Sequence, residues 1–145
     1  MKYYLSMLAV MFLTVLAFNT CGSKSKVSHG GPVLDYVSLI DSLRAVGATV
    51  ELAGEIVQPF FSVKGHRITV NGGDVQVFEF ADAEDVQAKA EQVSPDGEWV
   101  SKTHVNWIAT PHFYKRGKLI VIYAGDDRAI IEILEPVLAP QFAGG

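Results

Sequence analysis

Arg67-Ile-Thr-Val-Asn-Gly-Gly-Asp-Val-Gln-Val-Phe-Glu-Phe80 decides the fold of this chain. Asn71-Gly72-Gly73-Asp74 is a tight-turn signal, because Asn and Gly accept the positive φ angles that a two-residue hairpin demands. It separates Arg67–Val70 from Val75–Phe80, each rich in the branched and aromatic residues that suit extended chain. The stretch reads as two antiparallel strands.

Further along, His112-Phe113-Tyr114, a turn at Lys115-Arg116-Gly117-Lys118 and the run Leu119–Tyr123 repeat the pattern. The last run is apolar throughout, which marks a central strand covered on both faces. His104–Ile108 reads as another strand, broken at Thr110-Pro111. On the other side, Val50, Leu52, Gly54 and Ile56 alternate with Thr49, Glu51, Ala53 and Glu55, the mark of a strand with one wet face. Pro59 ends that strand or places it at an edge. Phe60–Val63 reads as a strand before a Lys64-Gly65-His66 turn that exposes His66.

Three segments carry helical signals. Leu34, Val37, Ile40, Leu43 and Val46 recur every third residue between Pro32 and Gly47. Asp82 caps a thin second helix with Val86, Ala90 and Val93 on its apolar side, closed by Ser94-Pro95-Asp96-Gly97. Gly125 and Asp126 open a third, buried through Ile130, Ile131, Leu134, Val137 and Leu138, with Pro136 bending or interrupting it. Together these predict one α+β domain from Val33 to Gly145, a largely antiparallel sheet of about five strands with three helices. Pro59–Ile68 echoes Pro111–Ile120, and Phe80-Ala-Asp82 echoes Tyr123-Ala-Gly-Asp126, suggesting two related strand-hairpin-helix units.

The domain is preceded by a different kind of sequence. Residues 1–20 hold Lys2 and an apolar run from Leu5 to Phe18 relieved only by Ser6 and Thr14, the layout of a signal peptide or membrane anchor. The only cysteine, Cys21, follows at once and is the candidate lipidation site of an exported lipoprotein. Residues 21–32, rich in Gly and Ser, form a tether in which His29 is solvated. One cysteine makes no intramolecular disulfide, so the domain relies on its core. Without Lys2 the chain carries 11 basic and 16 acidic residues, a net charge of −5. An acidic balance argues against a nucleic-acid partner.

Gln58-Pro-Phe-Phe61, Asn71-Gly-Gly-Asp-Val-Gln-Val-Phe-Glu-Phe80, Pro111-His-Phe-Tyr114 and Val121-Ile-Tyr-Ala-Gly-Asp-Asp127 resemble segments of a group of small bacterial exported, lipoprotein-like proteins of uncharacterised function. The resemblance covers most of the domain. It implies location and fold, and no catalytic residues.

No Cys pair, His-Glu-x-x-His, Gly-x-Ser-x-Gly or phosphate-cradling Gly loop is present, and no cofactor is indicated. His104, His112 and Asp126 would suit a divalent metal if their strands paired. The aromatic constellation is the stronger signal: Phe60, Phe61, Trp107, His112, Phe113 and Tyr114 lie beside Pro59 and Pro111. Neighbours in a strand face opposite ways, so Phe60 and Phe61 should not enter one core, nor Phe113 and Tyr114. If the outward members form one open patch they are candidate contacts for a ligand or partner; if the helices cover them they are core. The expectation is therefore a non-enzymatic binding or interaction module of the cell envelope, membrane-held through its N-terminal lipid or anchor, that meets an envelope protein or small ligand. A metal-dependent enzyme using His104, His112 and Asp126 and a self-associating structural lipoprotein are the alternatives.

Overall fold

The Asn71-Gly72 hairpin is the pivot of the computed structural model, which describes residues 31–145. Strands β2 (Gly65–Val70) and β3 (Gly73–Glu79) pair so that Val70 meets Gly73, leaving a two-residue loop with φ of 49° and 86°. Both values are positive, as the preferred hairpin turn requires. The leader, Cys21 and the tether as far as Gly30, including His29, lie outside the described residues.

The remaining elements are α1 (Tyr36–Ala45), β1 (Val50–Ile56), α2 (Ala83–Ala90), β4 (Trp99–Val100), β5 (Thr103–His104), β6 (Pro111–Arg116), β7 (Leu119–Ala124), α3 (Arg128–Leu138) and β8 (Ala143–Gly144). Six strands form one antiparallel sheet in the order β1-β2-β3-β7-β6-β8, while β4 and β5 pair separately. The fold is α+β. β7 sits between β3 and β6, where an all-apolar strand belongs. Its Leu119, Val121 and Tyr123 meet Leu39 and Leu43 of α1 and Leu134 and Leu138 of α3 in one core. Its Ile120 and Ile122 join Val86 of α2 and the Phe60, Phe61, Phe78 and Phe113 rings in the other.

Of the two predicted strand-hairpin-helix units, the second exists as β6-β7-α3, whereas the first lacks its opening strand and leaves β2-β3-α2; the two helices cover opposite faces of the sheet. A two-fold axis that relates adjacent antiparallel strands stands normal to the sheet and would keep both helices on one face. The sequence echo also equates Phe60–Val63, which is a turn, with strand β6.

Capping fixes the helix starts as the sequence suggests for α2, where Asp82 accepts from the Asp85 amide. α1 begins in a capping box: Asp35 accepts from the Ser38 amide, and the Ser38 hydroxyl accepts from the Asp35 amide. Its buried face is Leu39, Ile40 and Leu43, whereas Leu34, Val37 and Val46 are exposed. A strict three-residue repeat drifts around a helix of 3.6 residues per turn, so its outer members leave the core. Pro136 does not end α3, which runs on to Leu138.

β1 also departs from simple alternation. Leu52 pairs with Ile68 and Gly54 with Arg67, so Ala53 is an inserted residue. Past it the strand changes phase, and Ile56 packs with the aromatic core while Val50 belongs to the helix-covered one. Leu52 is 65 % exposed, because β1 is an edge strand extending beyond the helices. His66 is half-buried rather than exposed, its ring stacked on Tyr36 at 4.2 Å.

Tyr114 places a hydroxyl with no hydrogen-bond partner in the helix-covered core. Burial, with the nearby Glu135 and Tyr123 charges, pushes its ionisation from 10.0 up to about 12. Tyr114→Phe removes the unsatisfied group at nearly constant volume and should stabilise the fold by about 1 kcal/mol in denaturant melts at neutral pH. The unfolded tyrosine ionises near 10.0 and the folded one near 12, so its contribution falls as pH rises through that window. The advantage of the Phe variant should widen there; a constant difference would remove this assignment.

Candidate functional site

The aromatic residues singled out in the sequence converge, but mostly as core. Phe60 and Phe61 follow β1 in a turn closed by the Phe61 amide donating to the Gln58 carbonyl. A turn releases adjacent side chains from strand alternation, so both rings enter the same cluster and neither is an outward contact. Phe61 meets Phe78 and Phe80 edge-on at 4.8 and 5.5 Å, while Phe60 meets Trp107 at 6.3 Å. Phe113 and Tyr114 do alternate across β6, and each is buried beneath a different layer.

Trp107 is the exception among them. Its ring is half-buried between Phe60 and Phe113, and its indole N–H donates to the Gly97 carbonyl at 2.8 Å. That bond ties the segment Val105–Thr110 to the turn after α2. The segment is a loop, not the strand expected over His104–Ile108; only Thr103 and His104 pair, with Val100 and Trp99. With Trp107 facing inward, the next side chain is thrown outward: Ile108 is 99 % exposed.

Two clefts flank this loop. One, about 420 Å³, is lined by Asp96, Glu98, His104, Asn106, Trp107 and Thr110 among others. The other, about 290 Å³, is lined by Gln58, Asp74, Gln76, Asn106, Trp107 and Ile108 among others. Neither lining includes Lys or Arg. Asp74 is nevertheless neutralised by a forked contact from Arg67. In the larger cleft Asp96 accepts from the Ser94 hydroxyl and the Glu98 amide, which hold its carboxyl below the usual range. Glu98 lies 3.9 Å from the Nε2 of His104, whose ring meets Trp99 edge-on.

The three metal candidates are not assembled. His112 is buried, its Nδ1 2.6 Å from the Gln141 side-chain oxygen and its Nε2 3.0 Å from the Gly125 carbonyl, so both ring nitrogens are engaged. His104 lies half-open in the larger cleft, and Asp126 is exposed on the turn before α3. Among the described residues no three His, Cys, Asp or Glu side chains are placed to hold a metal. His112 acts instead as a clasp joining β6, the β7–α3 turn and the segment leading to β8, which the sequence did not predict.

What the arrangement offers is a fully exposed apolar side chain on a loop between two polar clefts. Compared with known protein families, curated proteins and solved structures, the chain matches none. The surface is thus read from its own geometry. Ile108, Asp96 and Glu98 escape sequence reasoning because one exposed Ile and a pair of turn carboxylates look ordinary in any chain. The break at Thr110-Pro111 was the available hint that the preceding run is loop.

Proposed function

We propose that this protein is an exported, membrane-tethered interaction module whose contact surface is the end of the sheet bearing Ile108. The tethering rests on the leader pattern and Cys21. One geometric observation carries the rest. The Leu34 carbonyl accepts from the Lys118 amide at the closed turn of the β6–β7 hairpin, so the chain enters the domain there. Ile108 belongs to the loop at the hairpin's other end, where the Gly125 amide bonds the Thr110 carbonyl. Six-residue strands separate the two ends by about 17–20 Å.

A domain held from the Leu34 end presents Ile108 away from its point of attachment. Covering a fully exposed Ile is worth about 1.5–3 kcal/mol, one apolar contribution to a wider contact. Crosslinking in the cells that make the protein provides the test. A photoreactive residue at position 108 should give an adduct of discrete mass, while the same residue at Glu132 on the outer face of α3 should not. Equal labelling from both positions, or none from either, would overturn the reading. Cys21→Ser should in parallel release the protein from the membrane fraction or leave an unprocessed precursor.

A further inference from the structure

We propose that this surface takes a basic protein segment, with a lysine or arginine side chain in the cleft of Asp96 and Glu98 and an adjacent apolar side chain on Ile108. The proposal rests on the interaction-module reading and names the chemistry of the partner. Charge complementarity within a concave site carries it. The larger cleft has two carboxylates and no Lys or Arg in its lining. Among the described residues neither carboxylate forms an ion pair with Lys or Arg, although Glu55, Asp74, Glu79 and Glu132 all do so elsewhere. A cleft in which carboxylates outnumber cationic side chains, here Asp96 and Glu98 against His104, concentrates the potential acting on a positive charge that enters it.

The hydrogen bonds already made to Asp96 orient its carboxylate and keep it ionised. Trp107 lines both clefts and gives the floor rigidity, because its indole is bonded to Gly97 and its ring is wedged between Phe60 and Phe113. Ile108 lines the neighbouring cleft, fully exposed and next in the chain to Trp107, which lines both, and supplies the apolar half of the recognition element. The same charges repel phosphate-bearing partners, so neither nucleic acid nor an anionic lipid headgroup fits.

The chain's 2 tryptophans, Trp99 and Trp107, both flank His104 or line the clefts, so their fluorescence reports on this surface. Full-length protein in a neutral detergent would be titrated with an amidated Lys-Leu-Lys-Leu-Lys peptide and with its Glu-Leu-Glu-Leu-Glu counterpart. The basic peptide should give a saturable change that weakens with added salt, and the acidic one none. The double substitution Asp96→Asn with Glu98→Gln should weaken binding about ten-fold or more, and Ile108→Asn should weaken it without altering the salt dependence. Thermal melts of each variant check folding, and Glu132→Gln serves as the charge control.

A response equal for both peptides, or unchanged in the double variant, overturns the proposal. So does a peptide-independent rise in mass with concentration that Ile108→Asn abolishes, which would assign the face to a second copy, or binding to phosphatidylglycerol vesicles through Ile108, which would assign it to lipid. Persistent crosslinking from position 108 in the double variant would remove the basic-partner chemistry and leave the contact surface standing. Loss of crosslinking from position 108 in the unmodified protein would remove both.

Discussion

Phe60→Ala and Phe61→Ala are each expected to destabilise the domain by about 3–5 kcal/mol, as large-to-small changes in a packed aromatic core do. The two residues are adjacent, and strand geometry would make one severe and the other mild. The turn reverses that expectation: Phe60 is 8 % and Phe61 6 % exposed, their rings edge-on at 4.9 Å. Phe61 lies against Phe78 and Phe80, and Phe60 against Trp107, so each truncation opens a cavity lined by rings that cannot collapse together. Urea unfolding followed by circular dichroism measures both. A mild result for either would mean that its ring faces solvent, and the aromatic surface of the sequence reading would return. Phe60→Ala should also shift Trp107 emission in the folded protein, because it removes one wall of that indole's pocket.

Gly117→Ala is expected to cost about 2–4 kcal/mol, combining a positive-φ penalty with a backbone clash. Gly117 has φ of 54°, and a Cβ there would lie 2.5 Å from the carbonyl oxygen of Leu34 and 2.6 Å from its Cα. Neither atom can rotate away as the end of a side chain could. Gly72→Ala is the internal control: its φ is 86°, but a Cβ there meets open space. That change should cost about 1–2 kcal/mol, the backbone preference alone. The gap between the two variants in thermal unfolding measures how firmly residues 31–35 are docked on the β6–β7 turn. Equal losses would show that Leu34 yields without penalty and that the chain's entry point is not fixed there.

These two substitutions mark the boundary of what local sequence conveys. Asn71-Gly72, the apolar β7 and the Asp82 cap were legible because each states its requirement within a few residues: positive φ, burial on both faces, an acceptor for a free amide. Phe60-Phe61 was not legible as a turn, since two aromatics beside a Pro suit an edge strand as well as a corner packed by distant rings. β8 has only Ala143 and Gly144, too short for any period, and forms because β6 offers a free edge. The candidate site was half visible. Trp107 belonged to the sequence constellation, whereas the exposure of Ile108 depends on which way Trp107 faces, a tertiary fact. The proposed metal triad failed for a related reason, because His112 spends both nitrogens within the fold.

The inserted Ala53 does more than shift the phase of β1. Before it Glu51 lies opposite Thr69, on the aromatic-core side of the sheet, and after it Glu55 lies opposite His66, on the helix-covered side. An uninterrupted strand would have put both carboxylates on one face and left the other a plain apolar edge. As built, a second strand zipping onto this edge brings its side chains against a carboxylate on either face, across a backbone whose ladder is broken midway. Copies gathered at high local density therefore have a built-in resistance to joining edge to edge, and the long edge strand stays solitary without needing a cover.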